Sequence, residues 1–443
     1  MTRSKAAGAS PDRLGGPALV VETACPLDCP DACSLAVRVQ HGKIVTIDGS
    51  EKNPVTGGYI CAKVRRFGER VYGPDRLLYP GIRIGGKGEG RFRRVSWDEA
   101  LECIVDRMKA AKATSGGESI LPYSYGGSNG LMTQDNLDAT LWRRWGTSRL
   151  ARTLCAAPTG AANMALYGKM ASVTYEDYPE ARLIILWGVN PSISGIHLIP
   201  YLREAQNRGA RLVVIDPRTT PLARSADVHL PVRPGTDVVV ALAFHRYLFT
   251  RGLADTNFLD RHAVHAAELQ ERAEEWTFEK AAATSGVDAA LLEHVAELYA
   301  QTSPALVKCG WGLERNRNGG SAAMAVLALP AVGGKFGVRG GGYSMSNSAS
   351  WNIERPCQHE SSGARVARLQ RSTREGALRL QLQSGRHGTQ PEPCHQGARA
   401  RRPVHGRLRA GDDGYRLVCG CGPASHDLSR GLRLRSCVWT ALD

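Results

Sequence analysis

Nowhere in the 443 residues is there an unbroken run of 18 or more apolar side chains, so no membrane-spanning helix is expected. The opening stretch, MTRSKAAGASPDRLGGPALVVETAC, has no apolar core, no small-residue cleavage site and no twin-arginine pair. Residues 1–20 therefore read as a disordered lead, not a targeting peptide, and cytoplasm is the expected compartment. G-x-G-x-x-G is missing, which removes the plain nicotinamide-binding fingerprint. The histidines are scattered singly with no H-x3-H pair, so no separate histidine-based metal site is expected.

Charge is plentiful, with a formal net charge of +15, but it is unevenly spread. Residues 357–443 carry 15 Arg and no Lys against 7 acidic residues. The rest of the chain has no basic stripe interleaved with aromatics, as a nucleic-acid groove requires. A solvated surface is the reading, and nucleic acid is not an expected partner. The length allows two or three domains with a substantial core.

What is present is concentrated cysteine. Residues 25–33 read CPLDCPDAC, and Cys61 follows in GGYICAK, a C-x3-C-x3-C-x27-C spacing. Pro26 and Pro30 discourage a helix, so the loop is free to curl its three thiols toward one point. Four thiolates suit either tetrahedral zinc or a cubane iron–sulfur cluster. Zinc knuckles normally come as two close pairs, and the three-plus-one split favours iron–sulfur, with structural zinc or unliganded thiols as the alternatives. Lys63, two residues past Cys61, is either a surface lysine or a group between the cluster and a second redox centre.

Further along, Ser96 and Glu99 mark the start of an amphipathic helix with Cys103 on its apolar side as a core thiol. Residues 119–127 suggest an apolar strand. Cys155 lies just before a helix that Thr159 could cap; a thiol there is either a metal ligand or nucleophile of lowered pKa, or a small buried hydrophobe. Residues 182–216 form a β–α–β unit, so Gly188, Asn190, Asp216 and Arg218 gather at the carboxyl edge of a parallel sheet. Thr236 or Asp237 would begin a helix beside the same edge.

CPLDCPDAC with CAK, the Gly-Asn turn after LIILW, IDPR, PGTD and GWGLERNRNGG together resemble the molybdopterin oxidoreductase family, the dimethyl-sulfoxide-reductase-like group. The resemblance covers roughly residues 20–356. It implies an α/β fold: a small N-terminal iron–sulfur domain (21–80) and doubly wound, Rossmann-like domains, one discontinuous (81–140 with 303–356) and one nucleotide-binding (141–302). It further implies a 4Fe-4S cluster on Cys25, Cys29, Cys33 and Cys61, with Lys63 on the electron route. Cys155 would be the molybdenum or tungsten ligand. Gly188, Asn190, Asp216, Arg218 and Asp237 would contact two molybdopterin guanine dinucleotides. Formate dehydrogenases of the group place a histidine directly after the metal-ligating cysteine; Ala156 stands there, which disfavours formate. The implied activity is two-electron oxo- or hydrogen transfer on a small-molecule substrate, with electrons exchanged with a redox partner protein.

Residues 357–443 change character, with no Lys and 5 of the 12 Cys. Read one base further along, the permitted codons of residues 377–438 spell LFVYNSNP and later ADVVLPATTFLE, strings that resemble the continuation of the family. The expectation is a frame shift between about residues 356 and 374, a tail that is not natively folded, and a truncated chain whose activity is in doubt. The alternative function is a non-catalytic iron–sulfur electron carrier or assembly partner; a zinc-bearing regulatory protein is a third.

Overall fold

The computed structural model describes residues 18–124, 137–170 and 172–346. The tail and most of the lead lie outside the described residues. Contacts divide the chain into two units: residues 1–152 with 193–197, and residues 153–192 with 198–443.

The first unit begins with an antiparallel sheet of β1 (Leu19–Ala24), β2 (Ser34–Gln40) and β3 (Lys43–Gly49). A two-residue turn at His41 and Gly42, both at positive φ (51° and 73°), joins β2 to β3, the geometry that matches strand twist in a tight hairpin. The cysteine loop spans β1 to β2, and its base is closed where Cys25 N donates to Cys33 O at 2.8 Å. Leu35, Ile47, Ile60 and Val64 form a small core with Cys33. A short helix, Ala62–Arg65, begins directly after Cys61. A hairpin of β4 (Gly81–Arg83) and β5 (Phe92–Arg94) follows.

The helix expected from Ser96 is Trp97–Ser115, and Ser96 Oγ accepts from Glu99 N at 3.1 Å. Glu99 turns away from the return bond of a capping box and pairs with Arg93. Cys103 is exposed, not a core thiol, because this helix buries only Ala100. Over 119–124, the described part of the strand expected at 119–127, no strand forms; residues 125–127 lie outside the described residues. Gly117–Ser119 is a 3-10 turn and residues 120–124 have no regular structure. Pro122 interrupts that run and cannot donate to a ladder.

The second unit is built on a fully parallel sheet in the order β10-β9-β6-β7-β8. Its strands are β6 (Leu183–Trp187), β7 (Arg211–Ile215), β8 (Val228–Leu230), β9 (Ala305–Cys309) and β10 (Gly342–Ser344). The chain winds outward from β6 to β8, then returns to add β9 and β10 on the other side. This leaves a switch point between β6 and β9, the place where such sheets open at their carboxyl ends. The pairing of β9 with β6 joins residues 305–344 to the 183–230 crossover.

Both faces of this sheet are covered, as parallel sheets require. Leu183, Ile185 and Trp187 face one core with helices Asp237–Thr250, Ala289–Gln301 and Gly319–Val332; Ile184 and Leu186 face another with helix Leu198–Asn207. Each such buried side chain stabilises the fold by about 1.5–3 kcal/mol. Helix Gly319–Val332 is buried nearly all round, which explains its unbroken apolar sequence.

Candidate functional site

In the first unit, all four predicted cysteines line one pocket, together with Asp31, Lys63, Ile193 and Gly195. The loop curls through Ala32, which sits at positive φ (43°) and donates its amide to Cys29 O at 3.2 Å. Cys61 reaches the pocket from the N-cap of helix Ala62–Arg65. The sulfurs interact: burial pushes the Cys33 thiol up to about 12, aided by the Asp31 carboxylate and by Cys25, Cys29 and Cys61. Burial also raises Cys29, opposed by backbone N–H groups of Asp31 and Gly195 and by the charge of Lys63. Four cysteine sulfurs lining one pocket are a donor set that fits an iron–sulfur cluster.

Lys63 lines this pocket while remaining exposed. Its ammonium donates to Ile193 O at 2.8 Å and to Ser194 Oγ at 3.4 Å. Sequence reasoning missed the stretch that receives it. Residues 193–197 lie far from the cysteines in the chain yet fold with them, and His197 packs within 3.9 Å of Cys33 Sγ.

The second unit carries the remaining predicted residues. Gly188, at φ 60°, ends β6, and Gly310 ends β9. A Cβ on Gly310 would lie 2.3 Å from Gly188 O, so the two loops meet backbone to backbone. Gly310 N donates to Trp187 O and Gly312 N to Gly188 O. Asn190 is half-buried, with a side-chain oxygen that is buried and without a partner, an acceptor available to a ligand. Asp216, buried at the end of β7, accepts from Arg218 N at 2.8 Å, while the Arg218 side chain is exposed. Asp237 is buried in the first turn of its helix and accepts from Trp187 Nε1 at 2.8 Å. Burial raises its carboxyl above the usual range, and the charge of Asp216 adds to that.

Cys155 sits at positive φ (57°) just ahead of helix Ala157–Tyr167, a strained conformation for a residue with a side chain. Arg315 Nη2 lies 3.8 Å from its sulfur. Thr159 does not cap the helix: the N-cap is Ala156, with no side-chain bond. Thr159 lies inside the first turn and donates its hydroxyl to Glu314 at 2.5 Å. Glu314 is 4% exposed and its other oxygen has no partner. Neither Glu314 nor Arg315 stood out in the sequence beyond lying in the Gly-rich GWGLERNRNGG run.

A four-thiol pocket on a small antiparallel sheet, with a parallel α/β unit bearing Gly, Asn and Asp at its strand ends, defines an iron–sulfur protein with a nucleotide-type sheet. Residues 19–73 match the molybdopterin oxidoreductase Fe4S4 domain, and residues 76–399 match molybdopterin oxidoreductase. The chain belongs to the molybdopterin oxidoreductase family. With membership come that family's cofactors, a 4Fe-4S cluster and a molybdenum- or tungsten-bearing pterin, typically as the guanine dinucleotide.

The chain is 36% identical over 329 residues to the probable oxidoreductase YoaE of Bacillus subtilis, covering 74% of this chain and 48% of that protein. It is 31% identical over 396 residues to the dimethyl sulfoxide reductase DmsA of Escherichia coli, covering 76% and 47%. Among solved structures, acetylene hydratase from Pelobacter acetylenicus superposes with a TM-score of 0.60 at 28% identity, over 72% of this chain and 44% of that one. The chain thus spans about half the length of the curated relatives it matches.

Proposed function

We propose that this chain is the cofactor-holding portion of a molybdenum or tungsten oxidoreductase that acts on a small molecule and exchanges electrons with a partner protein. The observation that carries this reading is the convergence of Cys25, Cys29, Cys33 and Cys61 on one pocket in a chain of this family. When bound, the pterin-held metal supplies two-electron oxo- or hydrogen-transfer chemistry and the cluster supplies one-electron relay.

The chain's own residues take the following roles. The four cysteines hold the cluster, and Lys63 keeps a fixed positive charge at its rim on the electron route. Cys155 is the metal ligand, with the Arg315 guanidinium beside its sulfur. Gly188 lets backbone approach the dinucleotide, and Asn190, Asp216, Arg218 and Asp237 offer it polar contacts at the sheet edge. Residues 357–443 read best as a shifted frame, although the family match runs past residue 357 to residue 399; resequencing the DNA downstream of codon 356 decides that point.

Metal and nucleotide analysis of the anaerobically purified chain tests the whole. Iron and acid-labile sulfide at about four each per chain, with molybdenum or tungsten and guanine nucleotide, is the expected result. Absence of all of these overturns it. The half-length coverage favours one second reading, an iron–sulfur carrier without catalysis, which predicts iron and sulfide alone.

A further inference from the structure

His197 is the most completely engaged side chain near the cysteines. Its side chain is 2% exposed and that of Asp31 is 1% exposed. Nδ1 lies 2.8 Å from Asp31 Oδ2 and 3.9 Å from Cys33 Sγ, and the His197 amide donates to the same carboxylate oxygen at 3.1 Å. Nε2 lies 2.9 Å from Thr56 O and 3.1 Å from Tyr59 O. Carbonyls only accept, so Nε2 bears a hydrogen and donates to both. The Tyr59 ring packs on the imidazole with centroids 4.1 Å apart. One ring therefore spans both cysteine-bearing segments: Asp31 belongs to the 25–33 loop, and Thr56 and Tyr59 lead directly into Cys61. The same five-residue stretch also offers Ile193 O to Lys63 and the Gly195 amide toward Cys29. It lies outside residues 19–73, which match the Fe4S4 domain.

We propose that His197 is a positioning residue of the iron–sulfur centre, its Nε2 fixing the segment that delivers Cys61 and its Nδ1 edge setting the polarity around the Cys33 sulfur. This rests on reading the four cysteines as cluster ligands. Hydrogen-bond donors and charge near a cluster's sulfurs set its reduction potential, and outer partners of ligands govern how firmly the metal is held.

The two nitrogens can be tested separately in the full-length, anaerobically purified chain. Asparagine keeps an amide near the Nδ1 position and cannot reach Thr56 O. Glutamine reaches the Nε2 position and removes the ring nitrogen facing Asp31 and Cys33. His197→Asn should lose iron to a ferrous chelator about 10-fold faster than wild type, with its midpoint potential nearly unchanged. His197→Gln should release iron near the wild-type rate, with its potential shifted away from the wild-type value. Both are read on the cluster's own absorbance and electron paramagnetic resonance signal, so unfolded copies do not contribute. Should both variants fail to load, Asp31→Asn, which keeps the shape and removes the charge, should shift the potential to less negative values; an unchanged potential there overturns the proposal. A loaded wild type matched by both histidine variants in rate and potential overturns the role of His197 alone. A wild-type chain without iron or sulfide overturns the cluster reading and this inference with it.

Discussion

Glu314 and Thr159, 155 positions apart, share a buried pair of hydrogen bonds in which Glu314 Oε2 accepts both the hydroxyl and the amide of Thr159, at 2.5 and 3.3 Å. This ties the loop after β9 to the first turn of the helix that follows Cys155. Helix N-terminal amides favour an acceptor there, yet burial works against the charge.

Burial raises the Glu314 carboxyl above its ordinary value near 4.5, against the hydrogen bonds from Thr159 and the charge of Arg315. In that window the folded state binds more protons than the unfolded one. Stability then falls as pH rises from about the ordinary value through the raised one. Glu314→Gln should flatten that slope in a thermal-melt series from pH 4.5 to 8, gaining relative to wild type at the alkaline end. Parallel slopes in the two proteins would remove Glu314 as their source.

Asp237 offers a second comparison. Asp237→Ala strands a buried indole N–H on Trp187 and should cost about 1–3 kcal/mol. Asp237→Asn keeps an acceptor for Trp187 and should stay within about 1 kcal/mol of wild type. If the carboxylate also binds the dinucleotide, the Asn variant should retain less guanine nucleotide despite its normal melting temperature.

At the cluster pocket, Cys61→Ala should remove most bound iron, while Cys103→Ala, at an exposed thiol outside the pocket, should leave iron per chain unchanged. Equal iron in the two variants would separate Cys61 from the ligand set.

Cys155 pays a conformational cost at φ 57° that glycine would not. Cys155→Gly should raise thermal stability by up to about 1 kcal/mol while lowering molybdenum or tungsten retained after desalting. A gain in stability with full metal retention would take Cys155 out of the metal site.

The parts legible in the sequence were those carried by local pattern. The β6–helix–β7 crossover reads from its apolar runs and the Gly209 stop, and the Ser96 cap from its spacing to Glu99. The cysteine loop is legible because all but one of its thiols fall within nine residues. Illegible were features fixed by distant pairing. No local signal tells that β9 lies beside β6, nor that Glu314 reaches Thr159. A lone histidine between a Ser-Gly turn and the helix Leu198–Asn207 gives no hint of its partners. Cys103 misled because an apolar stripe on Trp97–Ser115 resembles a buried face, yet Trp97, Leu101 and Ile104 along it are exposed.

The excursion of residues 193–197 limits how the protein can be dissected. Because the polypeptide leaves the first unit after Arg152 and returns to it for five residues, no single cut releases that unit whole. A fragment ending at Arg152 would retain every candidate iron ligand and lack the imidazole and the Gly195 amide that brace them, so an excised half should hold its iron poorly unless the pentapeptide is grafted back.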